Sequence, residues 1–153
     1  MLVQSACMRS PVPVVMILLS CAFAGCATPV AQPSAKSVIE AKFAAVNRHS
    51  IEDIVALYAA DAELTAPDFC VPRHGHDDVR RTYQALFKAF PDISVEVREY
   101  VQEDDRVAVR FNVRSKLPGR SFDVPIMNFF TVRHGAIVSD EGLFDTGGRK
   151  CSA

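Results

Sequence analysis

"PIMNFFTV", Pro125 to Val132, alternates like the inside of a β-strand. Ile126, Asn128, Phe130 and Val132 fall on one side, while Met127 and Phe129 point to the other. Asn128 thus sits in the middle of an apolar series. A buried amide without a partner costs about 1–3 kcal/mol, so it needs a reason to be there. Two readings fit. Asn128 is a structural residue tied to backbone or to a neighbouring side chain, or it looks into a pocket.

The next hairpin decides which neighbours it has. "TVRHGAIV" turns at Arg133–Gly135. A two-residue turn at His134–Gly135 requires positive φ at both residues, which His disfavours. A three-residue loop requires it only at Gly135 and is the preferred reading. It sets Asn128 opposite Asp140, Ile126 opposite Gly142 and Val124 opposite Phe144. Asn128, Asp140, Gly142 and Phe144 then share a face. The other register brings Ser139 and Glu141 beside Asn128, because a slip of one residue reverses every side chain.

The 153 residues suffice for one ordinary domain, and 49% hydrophobic with 23% charged residues is a globular balance. A formal net charge of -1 without a basic block argues against nucleic-acid binding. The first segment, "MRSPVPVVMILLSCAFAGC", joins a basic residue, an apolar run and small residues. It reads as a secretory signal peptide, too short for a membrane span. Met8, directly before Arg9, is a second candidate start.

"FAGCATP" resembles the lipobox of bacterial lipoproteins, with Phe23, Ala24 and Gly25 preceding Cys26. That resemblance implies cleavage after residue 25, lipidation of Cys26 and attachment to the cell envelope. Ala27 rather than Asp after the cysteine implies the outer membrane, facing the periplasm. An ordinary cleaved signal is the alternative. Several acyl chains make attachment lasting, and residues 26–34, rich in Pro and Ala, form a tether. Of the five cysteines, Cys70 and Cys151 then remain in an oxidising compartment, where they are permitted to pair. Two free thiols are the alternative.

From residue 35 to 150 the chain reads as one α+β domain. Ser34 caps a helix over Ala35–His49, with Ile39, Phe43 and Val46 at helical spacing. "SIED" at Ser50–Asp53 is a capping box opening a second helix that carries Ile51, Ile54, Val55 and Tyr58. "AELTA" is a short strand ended by Pro67, and "DFCVPRHGH" a loop. A third helix covers Asp77–Phe90, with Val79, Tyr83, Leu86, Phe87 and Phe90 inward. Four strands follow, in "ISVEVREYV", "RVAVRFNVRS", "SFDVPIMNFFTV" and "AIVSDEGLF". Helices first and a strand meander last predict helices on one face of an antiparallel sheet.

"IVALYAADAEL", "GHDDVRRTYQALFKAFPDI", "RVAVRF" and "FFTVRHGAIVSDEGLFD" resemble, in this order and spacing, the nuclear transport factor two-like superfamily. The likeness is to its SnoaL-like polyketide-cyclase and ketosteroid-isomerase-like domains. It implies a cone-shaped curved sheet wrapped around helices with a ligand cavity inside, and a homodimer through the outer sheet face. By the same resemblance, the cyclases' His and Asp fall on Asn128 and Gly142. The isomerases' Asp base falls on Ala66, their helical phenol on Phe43 and their second acid on Asn128. Neither Asn nor Gly exchanges a proton near neutral pH, so both familiar sets are broken.

The resulting expectation is a small apolar molecule held in the cavity, with Asn128 and Asp140 as polar handles and Phe43, Tyr83, Phe111 and Phe144 as wall. The alternative is a cyclase-, isomerase- or hydrolase-type enzyme using Asp140 as general acid/base. A third reading is an envelope protein whose cavity has filled in. Asp68 reads as a solvated loop residue. Cys70, His74 and His76 lie close together but lack a fourth ligand at a recognisable spacing. Neither a metal nor a cofactor is expected. Arg110 and Arg114 lie on the polar face of their strand.

Overall fold

The computed structural model describes residues 32–148 and Cys151. The expected leader and Cys26 lie outside the described residues. Three helices, α1 (Ala35–Asn47), α2 (Ile51–Val55) and α3 (Gly75–Ala89), accompany six strands. These are β1 (Tyr58–Thr65), β2 (Arg73–His74), β3 (Ser94–Glu103), β4 (Arg106–Ser115), β5 (Phe122–Arg133) and β6 (Ala136–Leu143). They form one sheet in the order β2-β1-β6-β5-β4-β3. The fold class is the expected α+β.

The sheet is mixed rather than purely antiparallel, because β1 runs parallel to β6. Most of the domain separates these two strands, which supplies the long connection that parallel neighbours need. A two-residue strand, β2, lies in the segment expected to be a loop and pairs with β1 at Glu63 and Leu64. It is too short to show a period.

Ser34 caps α1 as expected, accepting from the Ser37 amide at 3.1 Å. The helix stops at Asn47, and His49 adopts φ 54°, a left-handed exit. At α2 the capping box does not form. Ser50 makes no side-chain capping bond, and Asp53 pairs instead with Arg48 at 3.0 Å. The helix ends after five residues, so Tyr58 opens β1 instead of extending α2. Along α3, Val79 and Tyr83 are buried, whereas Leu86, Phe87 and Phe90 are half-buried.

The β5–β6 hairpin corrects the expected register. Arg133 pairs with Ala136, so the turn is the two-residue one, with φ 52° at His134 and 78° at Gly135. A turn of this kind matches the right-handed twist of its strands, and that outweighs the reluctance of His. One extra residue, Val138, then bulges between the Val132–Ile137 and Thr131–Ser139 pairs. Below the bulge Asn128 faces Gly142 and Phe130 faces Asp140. The expected partner of Asn128 was off by two positions along β6, an even number. The shared face of Asn128, Asp140, Gly142 and Phe144 therefore survives.

The core lies between α1 and the inner sheet face. Ile39, Ile54, Val79, Val107, Val109, Phe130 and Ile137 are fully buried. Each contributes roughly 1.5–3 kcal/mol relative to exposure. On the outer face Arg110 pairs with Glu99, and Arg114 with Glu96 and Asp123. Met127 and Leu143, partners across β5 and β6, stay exposed there.

Cys70 and Cys151 form a disulfide that closes a sequence separation of 81 residues, with Cα atoms 5.0 Å apart. In the chain-entropy view a bridge of that span stabilises by about 4 kcal/mol. Urea unfolding of Cys151→Ser, and of the native chain with reductant, is expected to show a loss of about 2–4 kcal/mol. Equal midpoints with and without reductant would show that the bridge adds nothing.

Candidate functional site

α1, α3 and the inner faces of β1, β3, β4, β5 and β6 line a cavity of about 170 Å³ that opens to solvent. All six residues expected to face it do so: Phe43, Tyr83, Phe111, Asn128, Asp140 and Phe144. Phe43 anchors the apolar wall. Its ring lies 4.8 Å from Phe111 and 6.1 Å from Phe130. Phe144 lies just past the end of β6 and is half-buried. Ile126, Val95 and Leu86 continue the lining.

Against this wall lies a polar cluster centred on Asp140. Its Oδ2 accepts from Lys42 Nζ at 3.1 Å and from the Tyr58 hydroxyl at 2.6 Å. Its Oδ1 accepts from Asn128 Nδ2 at 2.6 Å. Tyr83, buried beside them, acts electrostatically on Lys42 and Tyr58. Lys42, Asn128 and Asp140 are 3%, 9% and 6% exposed, which charged and amide groups tolerate only when partnered. The Lys42 ammonium also sits 4.3 Å from the Phe130 ring centroid and 4.9 Å from that of Phe43.

The electrostatics are decided by opposition. Burial pulls Lys42 toward losing its proton, but the Asp140 charge and hydrogen bond, with Tyr83, outweigh it and hold Lys42 above the ordinary lysine range. Burial, followed by the Asp140 charge, pushes the Tyr58 hydroxyl well above the usual phenol range. At neutral pH Lys42 is a charged donor and Tyr58 a neutral one. Both oxygens of Asp140 are occupied by donors.

Sequence reasoning missed Lys42 and Tyr58. Lys42 carried a readable signal, since it falls at helical spacing within the buried stripe Val38, Ile39, Phe43 and Val46. A charge there is the same anomaly as an amide in β5. Tyr58 was hidden by its assignment to α2.

The loop candidates do not join the site. Asp68 is exposed. Cys70 is in the disulfide, His76 Nε2 binds the Tyr58 carbonyl at 2.8 Å, and exposed His74 stands 4.0 Å from Glu63. Among the described residues no group of three His, Cys, Asp or Glu is placed to hold a metal. By contrast, Phe43, Ala66, Asn128 and Gly142, where the resemblance put the family's acid/base groups, all line the cavity.

A SnoaL-like domain profile matches residues 39–140. No curated protein matches the chain. Among solved structures, IdmH of Streptomyces antibioticus, a proposed polyketide cyclase, shares 25% identity over 75% of this chain and 94% of its own, with a TM-score of 0.69. TerC, co-crystallised with polyporic acid, is 22% identical over 74% of this chain and 92% of its own, with a TM-score of 0.67. An NTF2-like protein of unknown function from Burkholderia pseudomallei is 21% identical over 76% and 94%, also at 0.67. The latter two likenesses are of fold alone. With the profile covering two thirds of its length and the cavity on the expected sheet face, this chain belongs to the SnoaL-like domain family, within the NTF2-like fold.

Proposed function

We propose that this protein is a lipid-tethered SnoaL-like domain of a bacterial envelope that binds one small, largely apolar molecule in its cavity. The observation that carries this reading is a cluster of polar groups, nine-tenths buried, facing a wall that is otherwise apolar. Apolar lining supplies affinity and a few convergent polar groups fix orientation. The volume of about 170 Å³ is close to the ~150 Å³ of an apolar cavity that takes up benzene. A single small ring therefore fits it. The likeness to IdmH, a proposed polyketide cyclase, supports a cavity that handles organic ligands.

Binding is favoured over proton transfer by the state of Asp140. Lys42, Tyr58 and Asn128 already occupy both of its oxygens. A cyclase-, isomerase- or hydrolase-type reaction through Asp140 requires one of these donors to let go first. Tethering is favoured by the Cys26 motif, and an exported location suits the Cys70–Cys151 bridge.

Benzene and toluene are expected to bind the protein in ligand-observed NMR. Ala66→Phe, which places a ring in the cavity, is expected to abolish that signal. A wild-type protein that takes up neither probe removes the proposal. For the anchor, Cys26→Ala is expected to move the protein from the membrane fraction to the soluble one, and a variant still on membranes contradicts lipidation there.

The cluster also sets a pH dependence. Lys42 has a raised folded-state pKa, so its contribution is complete below the ordinary lysine range and is lost as pH rises through the folded value. Tyr58 acts in the same direction, because the unfolded chain releases its phenol proton first. Stability is expected to fall above about pH 10. At neutral pH Lys42→Met is expected to cost roughly 3–5 kcal/mol by stranding the carboxylate. Lys42→Met/Asp140→Leu is expected to cost less than the two single changes summed. Urea unfolding between pH 7 and 11 reads all three, and an unchanged midpoint for Lys42→Met at pH 7 sinks the assignment.

A further inference from the structure

The amide of Asn128 has only one of its two ends satisfied. Its Nδ2 donates to Asp140 Oδ1 at 2.6 Å. That bond fixes the orientation, because the flipped amide would set two acceptors against each other. Oδ1 is therefore directed away from Asp140. It is buried and has no hydrogen-bond partner among the described residues. Such acceptors are uncommon in folded proteins and call for an explanation.

Gly142 supplies one. It lies directly across from Asn128 on β6, and both residues line the cavity. Its φ is outside the left-handed region, so the backbone does not require glycine. Sterics do not require it either. An added Cβ would sit 3.4 Å from Asn128 Oδ1, 3.6 Å from its Nδ2 and 3.6 Å from the Ala66 Cβ, all ordinary contacts. What glycine does here is keep a side-chain methyl away from the amide oxygen at the cavity wall. That oxygen is closed to solvent as well as unpaired in the free protein. A ligand that seats against Asn128 and supplies a donor therefore removes a cost that the free protein carries.

Charge narrows the class further. Lys42 and Asp140 cancel each other 3.1 Å apart, and the remaining cluster members are a neutral amide and two phenols. No unpaired charge is available to compensate a charged ligand in this cavity.

Resting on the binding reading above, we infer that the ligand is a neutral molecule that presents a hydroxyl or N–H donor to Asn128 Oδ1 across the space left by Gly142. The polarity is specific. A carbonyl, ether or carboxylate brings a second acceptor to the same oxygen and is disfavoured, whereas phenols, alcohols, enols and amides fit.

Benzene, phenol, anisole and benzoate, titrated against the full-length protein by calorimetry, separate these cases. Phenol is expected to bind about tenfold or more tightly than benzene or anisole, with benzoate weakest. Anisole is the decisive control, since it keeps the ring and the oxygen but has no donor. Gly142→Ala puts a methyl over Oδ1 and is expected to reduce the phenol preference to about twofold or less. Asn128→Leu is expected to erase it. Thermal melting of each variant checks folding, and Gly142→Ala, the milder change, is expected to melt like wild type. Equal affinity for phenol and anisole, tighter binding of benzoate than phenol, or an undiminished preference in Gly142→Ala overturns this inference alone. Failure of benzene and phenol to bind at all overturns the cavity reading with it.

Discussion

One carboxylate holds four parts of this chain together. Asp140 belongs to β6, and its donors come from α1 through Lys42, from β1 through Tyr58 and from β5 through Asn128. Taking Lys42 and Asp140 out of water is costly, several kcal/mol per ion even after relaxation. The arrangement tolerates this because each oxygen has a donor and the ammonium also faces two aromatic rings. If any one element moves, a donor is lost and a buried charge is left exposed to that cost. The cluster thus acts as a register pin. It fixes how α1 lies over the sheet and how β1 sits beside β6.

Much of the fold was legible because its long elements carry clean periods. β4 was expected at Arg106–Ser115 and occurs there. β5 and β6 were found to within a residue. What failed was decided by tertiary context. The β1–β6 pairing joins strands far apart in sequence, and no local pattern encodes its parallel direction. The turn at His134 was misjudged because the cost of a left-handed His was weighed without the twist of the strands it joins. The extra residue at Val138 then shifted the register. The shared face came out right because the total offset was an even number of residues.

The site shows the same division. An amide among apolar neighbours in β5 was readable from a period of two. The equivalent anomaly in α1, Lys42 among Val38, Ile39, Phe43 and Val46, needed the same reading at a period of 3.6. The place of Asp140 depends on the hairpin register, and that of Tyr58 on where α2 stops. Membership of the SnoaL-like family supplies the cavity but not its chemistry. The four positions to which the resemblance assigned the family's acid/base groups, Phe43, Ala66, Asn128 and Gly142, converge here without a titratable side chain among them.

The disulfide bears on the same cavity without touching it. Neither Cys70 nor Cys151 lines it, but Phe69, the neighbour of Cys70, does, and so does Phe144, which lies on the segment leading toward Cys151. The bridge ties the chain after β1 to the chain after β6. Both segments would otherwise be loop and tail, where local opening is easiest. Restraining them lowers the ordering cost of closing apolar wall around a ligand. A buried pin at one side and a covalent tie between two lining segments restrain the shape of the cavity from both sides, which is what the proposed binding of a small ligand with few contacts requires.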